Sequence, residues 1–230
     1  MSPEFESLYH RHALTSYEKQ LRLADMIGTL SWRFSMKDGF LTFEEEGDAP
    51  HASAPIVFAA QLLGTVAYDD STWLWSWANE ASQIPSALTR DAQRMRDAGL
   101  AAEWTTPRFT LNLDNADEHR LAMASSGLFA ADAFYRGPYA GGAAFFLLRD
   151  NRLRLLEPEG PRIVRTITEA ISNGAVANHR TAIIAYLTER GLQPHADGEM
   201  AILAMISGRK LRLEFDAQDR LTNLGGTLGP

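Results

Sequence analysis

The sequence predicts an α+β fold: a mainly antiparallel, curved sheet packed by helices, with an N-terminal helix followed by hairpins. Three observations carry that reading. Apolar residues recur at helical spacing up to Ile27, then alternate with polar ones around Asp38-Gly39, a change from a 3.6-residue to a two-residue period. Strand candidates are joined by turns of a few residues, which only antiparallel pairing allows. Helical segments come in runs and do not alternate with strands, which argues against a doubly wound parallel sheet.

In chain order, the stretch from Pro3 to Ile27 reads as a helix: Pro3 suits a first turn, Leu14, Tyr17, Leu21, Ala24 and Ile27 are helically spaced, and Gly28 is the stop. Trp32, Phe34 and Met36 then alternate with polar residues, and Asp38-Gly39 is a strong hairpin signal. A two-residue turn there pairs Met36 with Leu41 and Phe34 with Phe43. Glu44 to Ala54 reads as a polar loop whose acidic run is either solvated or an interaction patch. Strands are expected from Ile56 to Tyr68 and from Thr72 to Ala78, with a two-residue turn at Asp70-Ser71 that sets Tyr68 and Val66 beside the second. Pro85 opens a helix carrying Leu88, Ala92 and Met95 and ending at Gly99. Asp114 is the expected N-cap of the next helix, with Asp117 and Glu118 in its first turn. Ala143 to Leu148 is strand-sized and apolar; two helices stopped by Gly174 and Gly191 follow, then alternating runs Met200 to Ile206 and Leu211 to Phe215. Gly225 to Pro230 reads as frayed. The whole is expected to form a single α+β domain over residues 1–230, with a candidate lobe seam at 157–161, where Glu157-Pro158-Glu159-Gly160-Pro161 resembles a linker.

Composition narrows the function classes. A chain of 230 residues buries roughly 70% of its unfolded surface and needs no covalent staples. With no cysteine it has no disulfide, no thiolate zinc site and no cysteine nucleophile. A net charge of −7 argues against broad electrostatic binding to nucleic acid or anionic membrane. The N-terminus carries Glu4 and Glu6 where a secretory signal needs base, and no stretch of about eighteen apolar residues occurs, so the expected location is the cytoplasm. No cofactor and no metal are expected: the six histidines lack a chelating spacing, since His10 and His12 point apart on a helix. His119, beside Asp117 and Glu118, reads as a surface histidine in a charged first turn. Neither a phosphate-cradling glycine loop nor a Gly-x-Ser-x-Gly elbow is present.

Two segments stand out. Trp73, Trp75 and Trp77 share one face of a strand at period two; they fill a core, line a cavity for an apolar ligand, or form a stacking platform. In the second, Arg136 lies between Tyr135 and Tyr139, next to Gly137-Pro138 and before Gly141-Gly142. A guanidinium held by a rigid turn is what carboxylate or phosphate recognition requires, and Asp132 orients it if the intervening residues make one helical turn. The alternative is a tight structural connection with Arg136 tied to a carboxylate.

The runs Gly64-Thr65, Thr72-Trp73-Leu74-Trp75-Ser76-Trp77-Ala78-Asn79 and Phe134-Tyr135-Arg136-Gly137-Pro138-Tyr139-Ala140-Gly141-Gly142, with Ser31-Trp32-Arg33-Phe34, resemble a bacterial family of uncharacterised proteins, a domain of unknown function. The resemblance implies one recurring module over most of the chain and no assigned reaction. From the residues, the expected function is a non-catalytic binding module. Its ligand is a small anionic or partly apolar molecule held by Arg136, Tyr135, Tyr139, Asp132, Trp73, Trp75 and Trp77. A related version blocks a basic protein partner, in the manner of an immunity protein, through acids at Glu44 to Asp48 and Asp69-Asp70. The alternative is a hydrolase or transferase with a carboxylate-based site, for which Asp132 and Glu199 stand as placeholders.

Overall fold

The structure, a computed structural model, describes residues 1–47 and 54–226. The chain begins with α1 (Pro3–Ile27), capped by Ser2, whose hydroxyl oxygen accepts from the Phe5 amide at 3.2 Å, with Pro3 in the first turn and Gly28 at the C-cap. Strands β1 (Ser31–Ser35), β2 (Phe40–Glu44), β3 (Ile56–Ala67) and β4 (Thr72–Trp75) follow. Next come α2 (Arg90–Ala98), α3 (Ala102–Thr105), β5 (Arg108–Thr110), α4 (Asp117–Leu128), β6 (Ala133–Tyr139) and β7 (Gly142–Arg149). The remainder holds α5 (Gly160–Ser172), α6 (His179–Glu189), β8 (His195–Ala196), β9 (Ala201–Ile206), β10 (Arg209–Phe215) and β11 (Leu221–Gly226). Among the described residues, seven strands form one sheet and four form another, and every strand pair is antiparallel.

The twelve-residue β3 organises the larger sheet. One edge of β3 takes β7 along Ala59–Ala67, while the other takes β2 over its first residues and β4 over its last. A bulge between Leu62 and Gly64 exchanges the two faces: Phe58, Ala60 and Leu62 pack into one apolar cluster, whereas Leu63 and Val66 pack into the other. An extra residue in one strand reverses which side chains point inward and bends the strand. The sheet consequently curls until β1 meets β6. The Trp32 and Tyr135 rings lie 5.9 Å apart, and a Cβ on Gly137 would stand 2.7 Å from the Trp32 ring.

Helix α1 lies between the halves of the molecule, packing against α4, α5 and α6. Its Glu18, 3% exposed, accepts from the Tyr186 hydroxyl at 2.9 Å and pairs with Arg190 at 2.9 Å. One buried cluster contains Phe5, Leu14 and Trp73 together with Ile163, Ile183 and Leu213, and so includes residues from both sides of 157–161.

Five local expectations are corrected. The first hairpin pairs Phe34 with Leu41 and Trp32 with Phe43, because Asp38 accepts from the Ser35 hydroxyl at 2.9 Å and Gly39 donates to Ser35 O, closing a turn over residues 36–39. The next turn spans residues 68–71, so Val66 stands opposite Trp73, with Ser71 at φ 53°. The tryptophan strand stops at Trp75, and Ser76–Ala78 form a 3-10 turn in which the Ser76 hydroxyl donates to Leu62 O at 2.6 Å. The helix expected from Asp114 begins after Ala116, at φ 51°, while Asp117 instead accepts from the Asn112 amide at 2.9 Å. Gly225 and Gly226 belong to β11; residues 227–230, and the end of the acidic loop from Asp48, lie outside the described residues.

Candidate functional site

Strand β6 pairs with β7 alone among the described strands, so its other edge is free, which is where a strand tolerates Pro138. Alternation sends Ala133 and Tyr135 into the curl of the sheet, and Phe134 into the cluster shared with the helices. Arg136 follows Phe134 by two and takes the same face. Facing that edge is the start of α4, where the N-cap Ala116 and the helical His119, Arg120 and Met123 recur about one turn apart. Helix α1 forms the floor. These elements, with the Asn173–Ala175 turn after α5, enclose a cavity of about 570 Å³, within the range of small-molecule sites.

The polar groups on its walls divide into held and unheld. Arg120 is bound to Asp117 at 3.0 Å and to Glu6, and its guanidinium lies 4.6 Å from the Tyr9 ring centre. Tyr9 donates to Ala175 O, and burial pushes its phenol up to about 12 despite the nearby Arg120 charge. The Asn173 amide donates to the Tyr17 hydroxyl at 2.7 Å. Arg136 differs: it donates to the Tyr68 hydroxyl, but no ion pair joins it to a carboxylate among the described residues, and its Nε is buried without a hydrogen-bond partner. Gln20 Nε2 is likewise buried and unpartnered. His119 places Nδ1 3.3 Å from Glu118 Oε1, and its ring meets Phe145 edge-on at 5.6 Å. Burial raises the Glu118 pKa, but hydrogen bonds from His119 and its own backbone, with the His119 and Arg136 charges, more than offset this and hold it below the usual carboxylate value.

Of the residues singled out from the sequence, Arg136 and Tyr135 line the cavity. Tyr139 sits at the end of β6, 48% exposed, with its hydroxyl 3.5 Å from Val66 O. Asp132 does not orient Arg136: the residues between them are strand, separating the two by roughly 13 Å, and Asp132 instead accepts from the Asp150 amide at 2.9 Å. Trp73 and Trp75 are completely buried, 5.3 Å apart edge to face, and Trp75 donates to Glu103 O at 2.7 Å. They stand one layer behind the cavity wall, since Trp73 touches Phe145 and Phe145 touches His119. Trp77, on the 3-10 turn, lies under the Arg96 guanidinium at 5.2 Å. Glu199 is also elsewhere, its carbonyl accepting from Arg180 at 3.0 Å.

Sequence reasoning missed Gln20 and His119. The stripe of Ala116, His119, Arg120 and Met123 was the available signal, obscured by the charged first turn around it. Among the described residues no three His, Asp or Glu are grouped to hold a metal ion, and no helix is long and apolar enough to cross a membrane.

The model of a family of unknown function, DUF6882, matches residues 6–151, well over half of the chain. The chain belongs to the DUF6882 family. The DUF6882 region runs from the first turns of α1 to just past β7, and so supplies the floor of the cavity and the α4 and β6 walls. The Asn173–Ala175 turn comes from beyond the DUF6882 match. No curated protein matches this DUF6882 chain, and no solved structure does.

Proposed function

We propose that this DUF6882 protein is a small-ligand-binding module, non-catalytic, whose site is the cavity between α1, α4 and β6 and whose anchor is Arg136. The observation that carries this is a cavity of about 570 Å³ in which one guanidinium lacks a carboxylate partner. Arg136 is half-buried, with its Nε shielded from water, where a charge is stabilised by a partner of opposite sign. Three acids of the face considered for a basic protein partner are engaged within the chain: Glu44 pairs with Arg33 at 3.1 Å, Glu46 accepts from Ser31 at 2.7 Å, and Asp70 pairs with Arg108. This favours a small molecule over a partner protein.

The test is thermal unfolding of the full chain against a panel of small acids, alcohols and amines, run in parallel on Ala24→Trp, which fills the floor of the cavity. A ligand at a hundred times its Kd stabilises by about 2.7 kcal/mol, a shift of several degrees. Stabilisation by a panel member that disappears in Ala24→Trp supports the reading; a stabilisation equal in both proteins removes it. The second reading, a hydrolase or transferase, rests on the His119–Glu118 pair at the cavity wall, a carboxylate-oriented imidazole of the kind used in general acid–base work. Turnover of an ester or phosphoester by the wild type, lost in His119→Gln, would decide for it.

A further inference from the structure

Resting on that reading, the cavity also carries information about the kind of molecule it takes. Among the nitrogen-bearing side chains that line it are Gln20 from α1, His119 from α4 and Arg136 from β6. Gln20 Nε2 and Arg136 Nε are buried without a hydrogen-bond partner, whereas His119 Nδ1 is turned to Glu118 Oε1 at 3.3 Å. Buried donors left without a partner are costly, so a group that satisfies them binds at an advantage. Amide and guanidinium N–H groups ask for an acceptor, and the positive charge of Arg136 asks for an anion.

The charge beside them limits that anion. Glu118 is held ionised by His119 and Arg136, so a dianion meets repulsion that a monoanion meets at half strength. A carboxylate fits better than a phosphate monoester.

Beyond Gln20 the floor loses its polarity. The α1 residues at the cavity change from Tyr9, Tyr17 and Gln20 to Leu23, Ala24 and Ile27, and α1 rises about 10 Å from Gln20 to Ile27. We infer that the ligand is an amphipathic monocarboxylate, its head at Gln20 and Arg136 beside His119 and its apolar tail laid along Leu23, Ala24 and Ile27.

The experiment uses the full chain and three probes of one tail length, decanoate, decanol and decyltrimethylammonium, below their micelle concentrations. Each competes with a fluorescent apolar dye, in the wild type and in Ala24→Trp, Arg136→Gln and Gln20→Leu, with circular dichroism to confirm folding. The expected result is that decanoate displaces the dye best, that Arg136→Gln weakens decanoate roughly tenfold or more, and that decanol is indifferent to that change. Equal binding of decanol and decanoate, or decanoate affinity unaltered by Arg136→Gln, overturns the inference while the cavity remains a binding site. A dye that binds wild type and Ala24→Trp alike removes the cavity reading itself, and this inference with it.

Discussion

Arg136 and Gly137 are adjacent in β6 and answer to different constraints. Arg136 faces the helices, with Tyr68 as its hydrogen-bond partner and Nε unsatisfied, whereas Gly137 faces into the curl, where Trp32 occupies the space of any side chain. Gly137→Ala is therefore expected to cost about 1–3 kcal/mol in urea unfolding, because the indole must shift. The same change in a Trp32→Leu background should cost distinctly less. Equal costs in the two backgrounds would show that Trp32 is not what excludes the methyl group. The aromatic segment around Arg136 stood out in the sequence for its arginine beside glycine and proline, and Tyr135 and Arg136 line the cavity. That Tyr68, and not Asp132, orients Arg136 was not legible, since only the strand conformation separates Asp132 from it.

Between elements, polar contacts at helix ends determine how the pieces meet. His179 opens α6, and its Nδ1 accepts the Leu221 amide of β11 at 3.0 Å, a bond that exists only while that nitrogen is unprotonated. Burial holds the His179 pKa below its ordinary value; Asp216 opposes and Arg220 reinforces the shift. A base with a lowered folded-state pKa keeps its full stability above the unfolded value, about 6.5. It loses that contribution as pH falls from there through the folded-state value. The Leu221 amide is expected to exchange with solvent more readily at pH 5 than at pH 8 after correction for intrinsic rates, and His179→Asn should remove the difference. Constant protection across that range would mean that the joint does not depend on His179. Helices α5 and α6 were readable from periodicity and glycine stops; their docking on α1 was not, because Glu18 looks like any exposed helical acid until Tyr186 and Arg190 close over it.

At the scale of the whole molecule, the family region over residues 6–151 depends on the C-terminal helices for part of its core. The face of α1 that bears Leu14 and Glu18 is covered by α5 and α6. Losing one partner of a buried ion pair costs about 3–5 kcal/mol, against a total stability of about 5–15 kcal/mol for a typical domain. A chain ending at residue 156 is thus expected to lose cooperative thermal unfolding and to bind an apolar dye. A sharp transition in that fragment would show that the region folds without α5 and α6. The sequence by itself determined the class of fold, most element positions, the antiparallel pairing and the segment that holds Arg136. Those depend on periodicity, turn chemistry and helix stops, all properties of neighbouring residues. Tertiary structure alone decided the bulge that exchanges the faces of β3, the retreat of Trp73 and Trp75 into the core, and the meeting of Gln20, His119 and Arg136 at one cavity. Those three come from elements far apart in the chain, and only the curl of the sheet and the packing of α1 against α4 bring them together.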